Sequence, residues 1–134
     1  MSLFSALLRP ALFSLDAETA HGISIKALRS GLVSVSGAHF DPRLALEIAG
    51  LGFPSPLGMA AGYDKNADVP DPLQRLGSRL VEVGTITPQP QPGNPRPRIF
   101  RLPEDRAVIN RFGFNSQGHE AACARLEARA GRGG

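Results

Sequence analysis

At 134 residues the chain has room for one ordinary domain with a modest core, and 42% hydrophobic against 20% charged residues excludes a disordered polymer. The 15 Lys and Arg against 12 Asp and Glu leave a net charge of +3; with no Trp, one Tyr and no helix-turn-helix or zinc-finger pattern, no nucleic acid is expected as a partner. Cys123 is the single cysteine and His21, His39 and His119 lie far apart, which excludes an internal disulfide and gives no metal-ligand spacing, so no metal is expected.

The chain opens on Leu3, Phe4, Leu7, Leu8, Ala11 and Leu12, a spacing that puts these side chains on one face of a helix over residues 3–14. Pro10 should kink that helix or start a new turn. Its polar face is thin (Ser2, Ser5, Arg9, Ser14), so the apolar face must be buried, either on this protein's own core or at a membrane surface with Arg9 toward the headgroups. No apolar run reaches the ~20 residues that span a bilayer, and the start lacks the basic residues and cleavage site of a signal peptide. Asp16 then reads as the N-cap of a second helix over 17–32, with Glu18 favouring the helix dipole, Ala20, Ile23, Ala27 and Leu28 as the apolar stripe and Gly31 as the stop. Residues 33–46 read as a linker with a turn at Asp41-Pro42. Residues 44–49 suit a short strand, and Gly50-Leu51-Gly52-Phe53 turns the chain back into a hairpin that caps the domain.

The densest stretch runs Pro56-Leu57-Gly58-Met59-Ala60-Ala61-Gly62-Tyr63-Asp64-Lys65. Leu57 to Ala60 reads as a buried strand, and the small residues after it let a flat or phosphorylated ligand lie close to the backbone. Lys65 sets one positive charge at the strand's mouth; a plain strand-to-helix turn with a surface lysine fits the same residues. A short helix over 66–76 stops at Gly77, and Arg79 to Val83 is a second strand ending in Gly84-Thr85. Strand, helix, strand with short connections implies a parallel βαβ unit, so Ala61, Lys65 and Thr85 converge on the one edge that carries the active site in α/β folds.

Pro88, Pro90, Pro92, Pro95 and Pro97 make a stiff loop of the kind that forms lids or binding walls. Residues 98–102 and 107–109 read as a hairpin. Asn110-Arg111-Phe112-Gly113-Phe114-Asn115 follows, with amides suited to the imide and carbonyl edges of a pyrimidine-like ring, and with Asn115 placed to cap a helix over 117–130. Residues 131–134 read as a frayed end.

Four of these stretches (60–65; Glu82-Val83-Gly84-Thr85-Ile86-Thr87-Pro88; Pro90-Gln91-Pro92-Gly93-Asn94-Pro95-Arg96-Pro97-Arg98; 110–115) in this order resemble dihydroorotate dehydrogenase, in its membrane-associated, quinone-using class. The resemblance covers nearly the whole chain and includes the two N-terminal helices with Asp16 and Ala20-His21. It implies an α/β fold, the N-terminal part of an FMN-binding (β/α)8 TIM barrel (residues 41–134) preceded by a small helical domain (residues 1–40). It further implies FMN as cofactor, held by Ala61, Gly62, Tyr63, Asp64, Lys65 and Thr85, and dihydroorotate or orotate at Lys65, Asn110, Arg111, Phe112, Gly113 and Phe114. A quinone tunnel would pass His21 and Arg101. The implied reaction, in de novo pyrimidine (UMP) biosynthesis, oxidises dihydroorotate to orotate: a serine base takes the C5 proton, hydride passes from C6 to the flavin, and ubiquinone receives the electrons. The expected location is peripheral, on the cytoplasmic side of the cell inner membrane, or the mitochondrial inner membrane in a eukaryote. A full barrel needs roughly 200 residues or more, so the chain reads as truncated, with the catalytic serine expected beyond Gly134 and no turnover by the chain alone. The alternative is a non-catalytic remnant that only associates with membranes through its N-terminal helices.

Overall fold

The computed structural model describes residues 3–33 and 40–130. His39, much of the linker, and the chain end at 131–134 lie outside the described residues. Helix α1 runs Leu3–Ser14 without interruption through Pro10, so the expected kink or fresh turn does not break it. Helix α2, Ala17–Arg29, has the expected cap: the Asp16 carboxylate accepts from the Thr19 amide at 2.9 Å. It ends three residues before the expected Leu32, because Ser30 takes the cap position and Gly31 turns left-handed at φ 74°. Ala20 and Leu28 of the expected stripe are buried; Ile23 is exposed and Ile25 packs on the core in its place.

A 3₁₀ turn at Pro42–Leu44, capped by Asp41, leads into the hairpin of β1 (Leu46–Ile48) and β2 (Leu51–Phe53). Strand β3 (Gly58–Met59), helix α3 (Pro70–Arg75) and strand β4 (Leu80–Val81) form the expected parallel βαβ unit, with Gly58 opposite Leu80 and Met59 opposite Val81. Strand β3 is not the buried strand its sequence suggests: Leu57 is 59% exposed and Gly58 is open to solvent. Among the described residues it pairs with β4 alone, and nothing covers the outer face of so narrow a sheet. Helix α3 starts four residues later than expected, since residues 66–69 form a loop with Ala67 at φ 58°, and Pro70 opens the helix at N1. The second hairpin is β5 (Ile99–Leu102) against β6 (Ala107–Asn110). Helix α4 covers His119–Ala130, two residues shorter than expected at its start.

The core lies under α2 and α3: Leu28, Val69 and Leu73 are buried together, and Ile25, Met59, Tyr63 and Val81 close around them. Helix α2 is therefore packed directly on the βαβ unit, with α1 against α2. It is also tied by charge to the segment that leads into β5. Glu18 receives Arg98 through both Nε (3.0 Å) and Nη2 (2.6 Å), and Arg96 through Nη2 (2.9 Å). The side chains of Glu18 and Arg98 are 12% and 8% exposed, whereas that of Arg96 is 69% exposed. Removing one partner of a pair shut away from water leaves a charge that nothing solvates, while an exposed ion pair contributes little. Glu18→Ala should thus lower unfolding stability by about 3 kcal/mol, and Arg96→Ala by less than about 1 kcal/mol, both read as shifts in the urea unfolding midpoint.

Candidate active site at the strand ends

The loop after β3 is built from backbone. Gly62 N–H donates to the Gly84 carbonyl at 2.8 Å, and Gly84 N–H donates to the Asp64 carbonyl at 3.0 Å. Those two bonds lock the end of β3 to the end of β4 and bring Ala61, Gly62, Tyr63, Asp64 and Lys65 beside Thr85, the convergence expected of a βαβ unit. Asp64 is 1% exposed, and each of its carboxylate oxygens accepts one backbone amide, from Asp68 and from Val69, both at 2.8 Å. Its side chain is spent on shaping the loop, so only its backbone is left to meet a ligand. Helix α4 steadies the same loop from outside: Asn66 accepts from Gln117 N–H at 3.0 Å, and Arg125 donates to the Asn66 carbonyl at 3.0 Å.

Ala61 and Thr85 are exposed, and a Cβ placed on Gly62 (φ 110°) would meet no heavy atom within 4 Å. The floor is flat and open. Lys65 stands half-buried at its side with Nζ 4.1 Å from the Phe112 ring centroid. That contact joins the first cluster of sequence-identified residues to the second. Burial, and then the positive charge of Arg98, hold the Lys65 ammonium below its ordinary pKa, and Glu18 partly offsets them.

The second cluster is held by its own amides and by the proline-rich segment. Asn110 Oδ1 accepts from Phe112 N–H at 3.0 Å. Gln91 exchanges backbone hydrogen bonds with Ser116 at 3.0 Å each way, and Asn94 N–H donates to the Phe112 carbonyl at 2.8 Å. Asn94 Nδ2 donates to the Arg111 carbonyl at 2.8 Å, and Gln91 Nε2 to the Phe114 carbonyl at 2.9 Å. The segment is a pinned wall, not a hinged lid. Its fit is close: a Cβ on Gly93 would come within 2.2 Å of the Phe112 carbonyl oxygen, and one on Gly113 within 2.7 Å of the Asn94 side chain. Phe114 is 65% exposed in a left-handed conformation (φ 56°), a backbone state that bulky residues hold only when their surroundings impose it. Asn115 is not the helix cap expected of it. It stands four residues before α4, and its Oδ1 is buried without a hydrogen-bond partner among the described residues. Ser116 serves the turn, accepting from Gly118 N–H and Thr87 N–H at 3.1 and 3.3 Å.

His21 and Arg101 meet different parts of this frame. The His21 ring stands edge-on to Tyr63 at 5.1 Å, and the neighbouring Ser24 hydroxyl is 2.9 Å from the Tyr63 hydroxyl, so α2 touches the loop after β3 itself. Arg101 donates to the carbonyls of Leu15 (2.7 Å) and Phe13 (3.0 Å) at the end of α1 and lies over the Phe13 ring. What the sequence did not mark is the pairing of Glu18 with Arg98. Glu18 reads as a dipole partner of its own helix, and Arg98 as one of many arginines. The proximity of Arg98 to the Asn110–Phe114 stretch was the one available signal.

A flat, open floor of small residues beside a half-buried cation suits a planar ligand that carries negative charge. Burial, and then the charge of Lys65, hold His21 below its ordinary value of 6.5. As pH falls through 6.5, the unfolded chain takes up this proton first, so the stability is fully present above 6.5 and is lost as pH falls through the lower folded value. Thermal midpoints should therefore drop between about pH 7 and about pH 5, and His21→Gln should flatten that part of the profile.

The family model described as dihydroorotate dehydrogenase matches residues 43–132. The dihydroorotate dehydrogenase (quinone) of Brucella anthropi is 65% identical over 132 residues, which cover 98% of this chain and 36% of that protein. That of Allorhizobium ampelinum is 64% identical over 131 residues, again 98% and 36%. The chain thus spans 36% of the length of these curated relatives. Ligand-free DHODH from Eimeria tenella matches with a TM-score of 0.81 and 48% identity over 86% of this chain and 32% of that one. The same organism's DHODH in complex with ferulenol matches with a TM-score of 0.81 over 84% and 30%. The parallel β3–α3–β4 unit is part of the (β/α)8 barrel of these α/β enzymes, with two helices before it, and the chain belongs to the dihydroorotate dehydrogenase family.

Proposed function

We propose that this chain supplies the N-terminal elements of a quinone-dependent oxidation of dihydroorotate to orotate in pyrimidine biosynthesis. FMN would be the hydride acceptor and ubiquinone the final electron acceptor. The observation that carries this reading is the contact between Lys65 and Phe112, which merges the expected cofactor and substrate clusters into one site. When bound, FMN supplies the redox chemistry. Ala61 to Lys65 and Thr85 would hold it. The chain's own part is to position and to neutralise. Lys65 gives a cation whose partial burial strengthens its attraction for a carboxylate or an anionic ring. The 110–114 stretch walls the substrate side, and the pinned proline-rich segment keeps that wall from moving.

The contact of His21 and Ser24 with Tyr63 supports passage of a quinone between α2 and the cofactor, with Arg101 fixing the end of α1 beside that route. The boundary of the proposed domains, 1–40 and 41–134, falls next to residues outside the described ones. On this reading the base is a serine that none of these 134 residues supplies. The chain alone should accordingly give no dihydroorotate-dependent reduction of a quinone dye in the presence of FMN, and measurable turnover would refute this assignment of the base.

The second reading, a module that only associates with membranes, is favoured by one observation: α1 and its end expose Leu8, Phe13 and Leu15 next to Arg9 and Arg101. No helix among the described residues is long and apolar enough to cross a membrane, so the contact would be peripheral. A peripheral position on the cytoplasmic side of the inner membrane is part of the first reading as proposed. The chain should co-sediment with anionic liposomes, and Leu8→Asp should abolish this; an unbound wild-type chain would remove the membrane role.

A further inference from the structure

Arg98 is anchored through every nitrogen of its guanidinium. Nε and Nη2 are held by Glu18, and Nη1 donates to the carbonyls of Pro92 at 2.6 Å and Asn94 at 3.0 Å. It is 7% exposed, and a planar fork so fixed has no second orientation to adopt. Its Cζ lies 5.1 Å from the centroid of the Phe112 ring, the same ring that Lys65 Nζ approaches to 4.1 Å. Two cations share the π-system of one buried side chain. They repel each other, and Glu18, almost as buried as Arg98, is the anion that lets both stay.

We infer that Glu18 and Arg98 are positioning residues for the substrate side of the site, holding Phe112 and, across its ring, Lys65. On this view the first turn of α2 sets the place of a ligand-facing cation in the barrel part of the chain. The inference rests on the proposed function only in taking Lys65 and Phe112 as ligand-facing. The charged and titratable groups that act on Lys65 are Glu18 and His21 from α2 and Arg98 from the start of the second hairpin. Loss of either charge shifts Lys65 through its electric field alone, Arg98 and Glu18 acting in opposite senses. If the pair merely docks a helix, a variant that keeps both charges but loosens the fork leaves the Lys65 ammonium in place over the Phe112 ring; if the pair positions it, that variant moves it off the ring.

The chain contains two lysines, Lys65 and the exposed Lys26 of α2, so a sample labelled with 13C at lysine Cε gives one reporter and one internal reference. Titrated by NMR with no ligand present, Arg98→Gln should raise the Lys65 midpoint and Glu18→Gln should lower it. Unfolding cannot mimic this pair, because burial lowers the Lys65 midpoint and its loss would raise that midpoint in both variants. Shifts of the same sign, or none in either variant, overturn the inference. A gentler variant gives a second reading: Glu18→Asp keeps the charge but shortens its reach, and should shrink the ring-current displacement that Phe112 imposes on the Lys65 Hε signals. An unchanged displacement overturns the positioning role. Both readings are made without cofactor or substrate, so they stand or fall apart from the dihydroorotate assignment.

Discussion

A carboxylate removed from water must have its oxygens met by donors, and Asp64 meets that demand with two amides of its own loop, four and five residues ahead. Everything around the site depends on this closure. It curls residues 64–69 tightly enough for α3 to start at Pro70 and drop Val69 and Leu73 into the core. It leaves the Asp64 carbonyl facing Gly84, so that β3 and β4 end together. It also sets Lys65 at the rim, within reach of Phe112.

The N-terminal helices are joined to this frame by two different forces. Apolar contact of Ile25 and Leu28 with Val69 and Leu73 is adhesive but has little directional content. The Glu18–Arg98 fork supplies direction, since two parallel N–H···O bonds fix both distance and tilt. Arg101 works in the same manner on the end of α1 through backbone carbonyls. A helix pair held by a greasy face and two arginine anchors is registered to the barrel part, not merely attached to it.

Local chemistry was readable in the sequence wherever a residue acts on its near neighbours. The Asp16 cap, the Gly31 stop, the β1–β2 and β5–β6 hairpins and the parallel βαβ unit all follow from turn chemistry and periodicity. The turn after β3 was legible for the same reason, as small residues followed by a lysine. What escaped depends on partners far along the chain. Glu18 meets Arg98 across 80 residues, and no local pattern marks either. Asn115 looks like a cap because it stands shortly before a helix, but the turn at Ser116 to Gly118 intervenes and the helix begins only at His119. Strand β3 reads as buried because apolar strands usually gain cover on both faces; within these 134 residues Met59 packs on the core while Leu57, just before the strand, stays exposed.

The wall formed by residues 91–94 against 111–116 is interlocked without spare volume. Each side places a glycine where the other presents an oxygen or an amide, at Gly93 and at Gly113, and Gly118 repeats the arrangement against Pro90. Neither strip can gain bulk while the other stays as it is, so sequence change here has to be concerted. The two strips behave as one unit of inheritance, separated by a hairpin that is itself free to vary at its exposed tip, and a graft of either strip from a relative will succeed only if its counterpart travels with it.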